Sequence, residues 1–313
     1  YINLAISILL LLAVGYIYNK FQIKVEKDDK LEELNIIKKY LLNDRDYYTI
    51  DQLSSINKPI IWTMRDMWPF TGGSHYTVDF ENYEKSFLSQ KIQKYKKKKF
   101  NKDIKFIAIS DWLKDKAQKS FVLQDHSIDR IYNNVDIDKF KIISNTEAKS
   151  FLGISTKKKI ILYGSQNPQN KRKGWKIFYD TLKKLDKDKF YLLIFGNFWS
   201  NDLLDEINIE YKSLGFINDQ KTLNNAYSSS DLFVAPSIQE AFGKTWVEAL
   251  SCNVPVVCFD STSISENIEH KIDGYIVKNF NSNDLKDGIE WVSLKFNKEN
   301  INHNFRNKVL QFD

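Results

Sequence analysis

Apolar residues fall along the second half of the chain as short runs at near-regular intervals. They are Ile160–Gly164, Phe190–Phe195, Tyr211–Phe216, Leu232–Ala235 and Val254–Phe259, with Tyr275–Val277 as a short last one. Between them lie stretches with apolar residues three and four apart, Trp175–Leu185, Thr222–Ser229 and Lys244–Ser251. Short apolar strands separated by helices predict a parallel sheet covered on both faces. The first half mixes the same two rhythms. Leu31, Leu34, Ile37 and Leu41 mark a helix over Lys27–Leu42. Lys58-Pro59 leads into a strand at Ile60–Thr63, which opens into a loop rich in Pro and Gly, Trp68–Gly73. Tyr83–Phe100 reads as a basic amphipathic helix with Phe87, Leu88, Ile92 and Tyr95 on one face and Lys91, Lys94 and Lys96–Lys99 around it. Lys105–Ser110 is the next strand and Trp112–Phe121 the next helix, and Ile131–Phe140 runs towards a boundary near 141–157. The expected organisation is two α/β domains, 1–148 and 149–295, with a tail at 296–313 that returns to the N-terminal domain. Ligands of such sheets sit beyond the carboxyl ends of the strands, here facing an interdomain cleft.

The chain opens without charge from Tyr1 to Tyr18. As a helix that run would reach roughly 27 Å, barely a bilayer core. It reads either as a membrane anchor or as a buried element of the first domain. No basic start or small-residue cleavage site supports a signal peptide. The first residue is tyrosine, so the true start is expected upstream.

Composition narrows the class. Of 313 residues, 42% are hydrophobic and 27% charged, which excludes a disordered, collagenous or disulfide-built chain. The two cysteines, Cys252 and Cys258, fit a reducing compartment and cannot form a cysteine metal cluster. The four histidines show no metal-binding spacing, so no metal is expected. The net charge of +6 is local: between Lys85 and Lys105 nine lysines face one acid, Asp103. A protein that wraps nucleic acid would carry a wider basic face. The patch reads as a surface for anionic lipid or as a solvated helix with its aromatic side turned to the core.

The richest stretch runs from Pro236 to Leu250. A buried strand ends at Pro236, a loop carries Glu240, and Gly243 allows a tight turn before a helix. The first-turn amides of that helix lack internal partners and favour a phosphate. Glu248 lies one turn inside it, three residues after Thr245. A carboxylate in the loop and another in the helix suit a ligand with sugar hydroxyls and an anionic part.

Here the sequence resembles the family 4 glycosyltransferases of GT-B fold. Glu240 and Glu248 match the family's Glu-x7-Glu signature within Glu-Ala-Phe-Gly-Lys-Thr-Trp-Val-Glu, and the match continues through Asn253–Val257 and Asp273–Tyr275. Ser110–Leu113 and Ile131–Phe140 are similar to family segments, and Trp62–Tyr76 to a block of bacterial polysaccharide members. The resemblance implies two Rossmann-like α/β domains and transfer of a sugar, with retention, from a nucleotide sugar to a hydroxyl. A UDP-sugar is the first candidate donor and a GDP-sugar the second. The acceptor is then a glycan or a lipid-linked glycan in bacterial surface polysaccharide synthesis, at the inner face of the cell membrane. Glu240 would contact the donor sugar and Glu248 the ribose. Lys173 of Lys173-Gly174, with Arg172, would neutralise the diphosphate, and amides from Phe242 through Gly243 and Lys244 to Thr245 would hold it. Phe216 joins the donor-binding set. Asp66 and Arg65 are the catalytic candidates of the first domain, and no metal or other cofactor is implied.

Three departures qualify the match. Arg65 stands where the family has histidine, and Ser165 where it has arginine. The family's first strand and Gly-rich loop are not recognisable in Tyr1–Asp46, so the N-terminal domain reads as incomplete or divergent. These departures favour a rival reading, an inactive sugar-nucleotide-binding subunit, and a sugar-nucleotide epimerase is a further one. Asp44-Arg-Asp46, Asp136-Ile-Asp138 and Asp186-Lys-Asp188 spell Asp-x-Asp, but none ends an apolar strand. Trp and Tyr fall mainly on core periods. His75 follows a Gly-Gly pair and reads as a structural residue or a lining of the cleft.

Overall fold

In the computed structural model the described residues are 56–79, 86–100, 103–167, 170–197, 206–260, 262–296 and 305–312, with Ile50, Leu53 and Leu204. The apolar opening run, the Lys27–Leu42 helix, Asp44–Asp46, Lys85 and Lys102 lie outside them. Among the described residues no helix is long and apolar enough to cross a membrane. The chain divides into two units, 1–132 and 133–313. Residues 133–148, which the sequence reading gave to the first domain, are in the second. The helix at Asn145–Phe151 explains why: it packs on Gln220–Ser229, and Asn145 Nδ2 donates to the carbonyl of Ser229 at 2.8 Å.

In the first unit three parallel strands stand in the order β1 (Ile60–Met64), β2 (Ile104–Ala108), β3 (Ile128–Arg130). Trp62 faces Phe106 across β1 and β2, and Phe100 closes on both rings. Helix α1 (Phe87–Lys99) enters β2, and α2 (Asp111–Gln118) follows it, its first turn capped by the Ser110 hydroxyl, which accepts from Leu113 N at 3.0 Å.

Helix α1 turns its aromatic side away from the core. Phe87 is 72% exposed, and Leu88 and Tyr95 are exposed as well, while Ser89 and Lys96 are fully buried. Two tertiary contacts override the apolar pattern. Gly72 presses so closely on Ser89 that a Cβ there would meet the Ser89 Oγ at 2.1 Å. Lys96 reaches inward to carbonyls of the preceding loop. The alternative of an aromatic side turned to the core is therefore corrected.

The second unit holds six parallel strands, β4 (Lys159–Gly164), β5 (Phe190–Phe195), β6 (Tyr211–Ser213), β7 (Leu232–Ala235), β8 (Val256–Phe259) and β9 (Gly274–Val277). Their order is β6-β5-β4-β7-β8-β9. The direction of winding therefore reverses between β4 and β7, and there the loops leave in opposite directions and open a crevice. Strands β4, β5, β7 and β8 are buried throughout except for Lys159, as a sheet covered on both faces requires. The helices are α3 (Asn145–Phe151), α4 (Trp175–Leu182), α5 (Gln220–Ser229), α6 (Lys244–Ser251), α7 (Ser282–Lys295) and the short α8 (Arg306–Val309).

The tail packs on α6 of its own unit. Phe312 sets its ring edge-on against Trp246 and Phe242, and its carbonyl accepts from Val135 N at 2.7 Å. Arg306 donates to the carbonyls of Ile137, Phe140 and Ser251, and Lys308 pairs with the buried Asp273.

Candidate functional site

The crevice between the ends of β4 and β7 is lined by Gly164, Ser165, Lys173, Ser237, Glu240 and Thr245. Three loops bring them there. Beyond β4, Asn170 caps a single turn at Lys171–Lys173 by accepting from Arg172 N at 2.9 Å, and α4 begins at once. Gly174, between turn and helix, has φ +70°, and a Cβ there would lie 1.7 Å from the carbonyl oxygen of Pro236. Only glycine fits that approach. Ile238 N donates to the Arg172 carbonyl at 2.8 Å, so the basic turn is stitched to the end of β7.

Glu240 is the centre of the cluster. It is buried, and its Oε2 accepts from Lys173 Nζ at 2.5 Å and from Arg172 Nη1 at 3.0 Å. Arg172 also donates to the Gln239 carbonyl. Burial pushes the Glu240 carboxyl up, but Lys173 and then Arg172 outweigh it and hold the group below its ordinary value. Burial likewise pulls Lys173 down, and the Glu240 charge offsets part of that. Two cations against one carboxylate leave the cluster with surplus positive charge. Ser165 adds a buried hydroxyl that meets no hydrogen-bond partner among the described residues.

Gly243, at φ +69°, turns the chain into α6. Phe242 is buried against Trp246 and Phe312, so its ring serves the core and its main chain alone can serve a ligand. Lys244 is exposed and Thr245 half-buried at the crevice. Glu248, one turn on, is half-buried and accepts from the Tyr227 hydroxyl at 2.8 Å. Burial raises its carboxyl above the ordinary value, against the pull of Tyr227 and Lys244. Tyr227 itself is buried among Phe140, Phe195 and Phe233. Its period reads as core from sequence, and no local signal marks its hydroxyl as a support for Glu248.

The structure thus brings together Arg172, Lys173, Glu240 and Thr245 in one crevice, with Gly243 and Glu248 beside it. It does not bring Phe216 there. Phe216 follows β6, is 50% exposed and is not among the residues that line the crevice. Arg65 and Asp66 follow β1 in the first unit. Arg65 is exposed, whereas Asp66 accepts from Trp68 N and from His75 Nδ1, each at 2.8 Å. Asp136 pairs with Lys139, Asp138 with Arg306 and Asp186 with Lys189. Among the described residues no three His, Cys, Asp or Glu side chains gather as a metal site.

Comparison with known proteins bears on the family and the fold. A family model described as "Glycosyl transferases group 1" matches residues 144–308, more than half of the chain. An uncharacterized glycosyltransferase of Methanocaldococcus jannaschii is 27% identical over 197 residues, 59% of this chain and 50% of that protein. The O-antigen chain mannosyltransferase B of Escherichia coli is 32% identical over 111 residues, 33% of this chain and 29% of that protein. The chain thus spans half or less of the length of these curated relatives. Among solved structures, Anabaena HepE in complex with UDP-glucose superposes with a TM-score of 0.59 at 19% identity, covering 80% of this chain and 66% of that one. The architecture is the GT-B fold, seen here as two Rossmann-like parallel units.

Proposed function

The chain belongs to the group 1 glycosyl transferases, and we propose that it moves a hexose from a nucleoside diphosphate sugar to a hydroxyl of a glycan or lipid-linked acceptor, with retention, in bacterial surface polysaccharide synthesis. One observation carries the reading: Glu240 sits buried between Lys173 and Arg172 at the strand reversal, one loop from the start of α6. In this reading Lys173 and Arg172 turn to the diphosphate when the donor arrives, helped by the main chain from Phe242 to Thr245 and by the Ser165 hydroxyl. Cations and amides aimed at a leaving diphosphate stabilise the charge that develops as the glycosidic bond breaks, so the reading needs no metal. Glu240, released, accepts from hydroxyls of the donor sugar, and Glu248 accepts from the ribose.

The likeness to a protein solved with UDP-glucose supports a UDP-sugar as first candidate, and the likeness to an O-antigen mannosyltransferase supports a surface glycan as product. The exposed Phe87, Leu88 and Tyr95, flanked by Lys91, Lys94 and Lys98, support contact with an anionic membrane surface on the cytoplasmic side.

The test is a panel of UDP- and GDP-sugars read as thermal stabilisation, because a ligand of the native state raises Tm. It is followed by nucleoside diphosphate release from the best donor. Glu240→Gln is expected to stay folded and to lose release by at least about 100-fold, the scale of a lost transition-state contact. Release at the original rate removes Glu240 from the mechanism. Binding without release in the unaltered chain favours the inactive-subunit reading, for which Arg65 and Ser165 speak. Donor conversion without any acceptor favours an epimerase.

A further inference from the structure

Glu240 engages both cations of the crevice, and its own place is fixed. Its Oε2 accepts from Lys173 Nζ at 2.5 Å and from Arg172 Nη1 at 3.0 Å. Its side chain keeps only 9% of its surface exposed, against 21% for Lys173 and 15% for Arg172. A Cβ at Gly243 would lie 2.8 Å from the Glu240 Cγ, so the turn into α6 walls the acid in. Ser263 N donates to the Glu240 carbonyl at 3.2 Å and ties its backbone to the loop after β8. The cations are tied as well. Ile238 N holds the Arg172 carbonyl, and Gly174 packs on the carbonyl of Pro236. Neither side can move as a body. What can change is the rotation of the Lys173 and Arg172 side chains.

A diphosphate entering this crevice competes with Glu240 for the same two cations. If they turn to it, the carboxylate stays behind, buried and without its partners, which is costly. If they stay, two anions share one pair of cations and repel each other. A bare nucleoside diphosphate meets one penalty or the other. A donor sugar removes it, because its hydroxyls donate to the carboxylate in place of the cations. Hydrogen bonds to an ionised acceptor are the strong kind, and a buried acceptor is the one that most needs them.

We propose that Glu240 is a specificity-determining residue that makes the crevice reject a nucleoside diphosphate lacking its sugar. The inference rests on the donor reading above and concerns the second unit alone. Glu240 and the diphosphate draw on one pair of cations, and the sugar is what lets both be satisfied at once. When the sugar has gone to an acceptor, Lys173 and Arg172 return to Glu240, and the nucleoside diphosphate loses its hold. The ion pairs seen here thereby clear the crevice of product.

The experiment is calorimetry on the full chain without acceptor. The probes are UDP and the UDP-sugar that raises Tm most in the panel, or GDP and a GDP-sugar where those stabilise more. The unaltered chain should bind the sugar nucleotide at least about tenfold more tightly than the bare one. Glu240→Gln keeps an oxygen for the sugar hydroxyls but releases the cations. It should bind the bare nucleotide about tenfold more tightly than the unaltered chain does, and discriminate less than about threefold. Arg172→Gln leaves one cation to serve two anions. It should weaken the bare nucleotide more than the sugar nucleotide and widen the gap by about threefold or more. A melting curve accompanies each variant, and where Glu240→Gln does not fold, Arg172→Gln decides. Equal affinity for the two nucleotides in the unaltered chain overturns the inference. So does a folded Glu240→Gln that fails to bind the bare nucleotide more tightly, and so does an Arg172→Gln that weakens both equally. An unaltered chain that binds neither nucleotide sugars nor nucleoside diphosphates sinks the donor reading itself.

Discussion

Tyr227 and Glu248 stand on different helices and meet through one hydrogen bond of 2.8 Å, hydroxyl to carboxylate. The tyrosine ring is fixed by three aromatic neighbours, so the acid inherits the rigidity of the core. Tyr227→Phe keeps the ring and deletes only the donor. The fold should persist while UDP binds about tenfold more weakly, or about 1.4 kcal/mol. Calorimetry of UDP binding beside a melting curve checks this: a lowered Tm with unchanged affinity would make the bond purely structural.

The pH dependence of donor binding should follow Glu248. Its carboxyl is raised above 4.5 by burial. A raised folded value means that its contribution to stability is present below the ordinary carboxylate value and is lost as pH rises through the folded one. In the proposed function the charged form is the one that accepts ribose hydroxyls, so UDP affinity should climb over that same interval while stability declines. Glu248→Gln should flatten both curves. A titration of affinity against pH that keeps its slope in the variant assigns the effect elsewhere.

Lys96 gives the opposite signature in the first unit. Burial lowers it from 10.5 to about 7, with the Asp66 charge pulling the other way. Its contribution to stability is therefore present above 10.5 and lost as pH falls through about 7. Between those limits stability should rise with pH at up to about 1.4 kcal/mol per pH unit. Lys96→Met should remove that rise and lower stability throughout, because the carbonyls of Trp68 and Thr71 lose their donor. Urea unfolding at several pH values decides it.

Exposed apolar residues on α1 should bind anionic bilayers. Phe87→Ser combined with Tyr95→Ser is expected to weaken sedimentation with phosphatidylglycerol vesicles by at least about tenfold, since a buried aromatic contributes roughly 1.5–3 kcal/mol. Vesicles of phosphatidylcholine should bind both forms weakly. Equal binding of both forms to anionic vesicles would leave the lysines alone as the cause.

The strands of the second unit were legible because each is an apolar run closed by a turn residue. Phe190–Phe195 and Leu232–Ala235 fall where the pattern puts them, as does the helix Lys244–Ser251. Differences arise where the backbone leaves the extended region. Gly215, at φ +63°, follows a β6 that ends at Ser213 and not at Phe216, and β8 begins at Val256, after the left-handed Asn253. The pairing of Arg172 with Glu240 was not legible, because its partners lie 68 residues apart and the arginine reads equally well as a solvated charge. The inward turn of Lys96 was hidden for a related reason. Its compensation is two carbonyls 25 and 28 residues upstream, and helical periodicity carries no record of them.

Gly174 has a consequence for anyone who would retune this protein. The main chain there touches the Pro236 carbonyl with no room for a methyl group, so the span between the two cations and the strand end is set by backbone alone. If the proposed function holds, libraries that diversify Arg172 or Ser165 are expected to reshape preference for one sugar nucleotide over another. Those that also randomise position 174 will spend their diversity on collapsed pockets, because the frame and its decoration are encoded in neighbouring codons yet only the decoration is free to evolve.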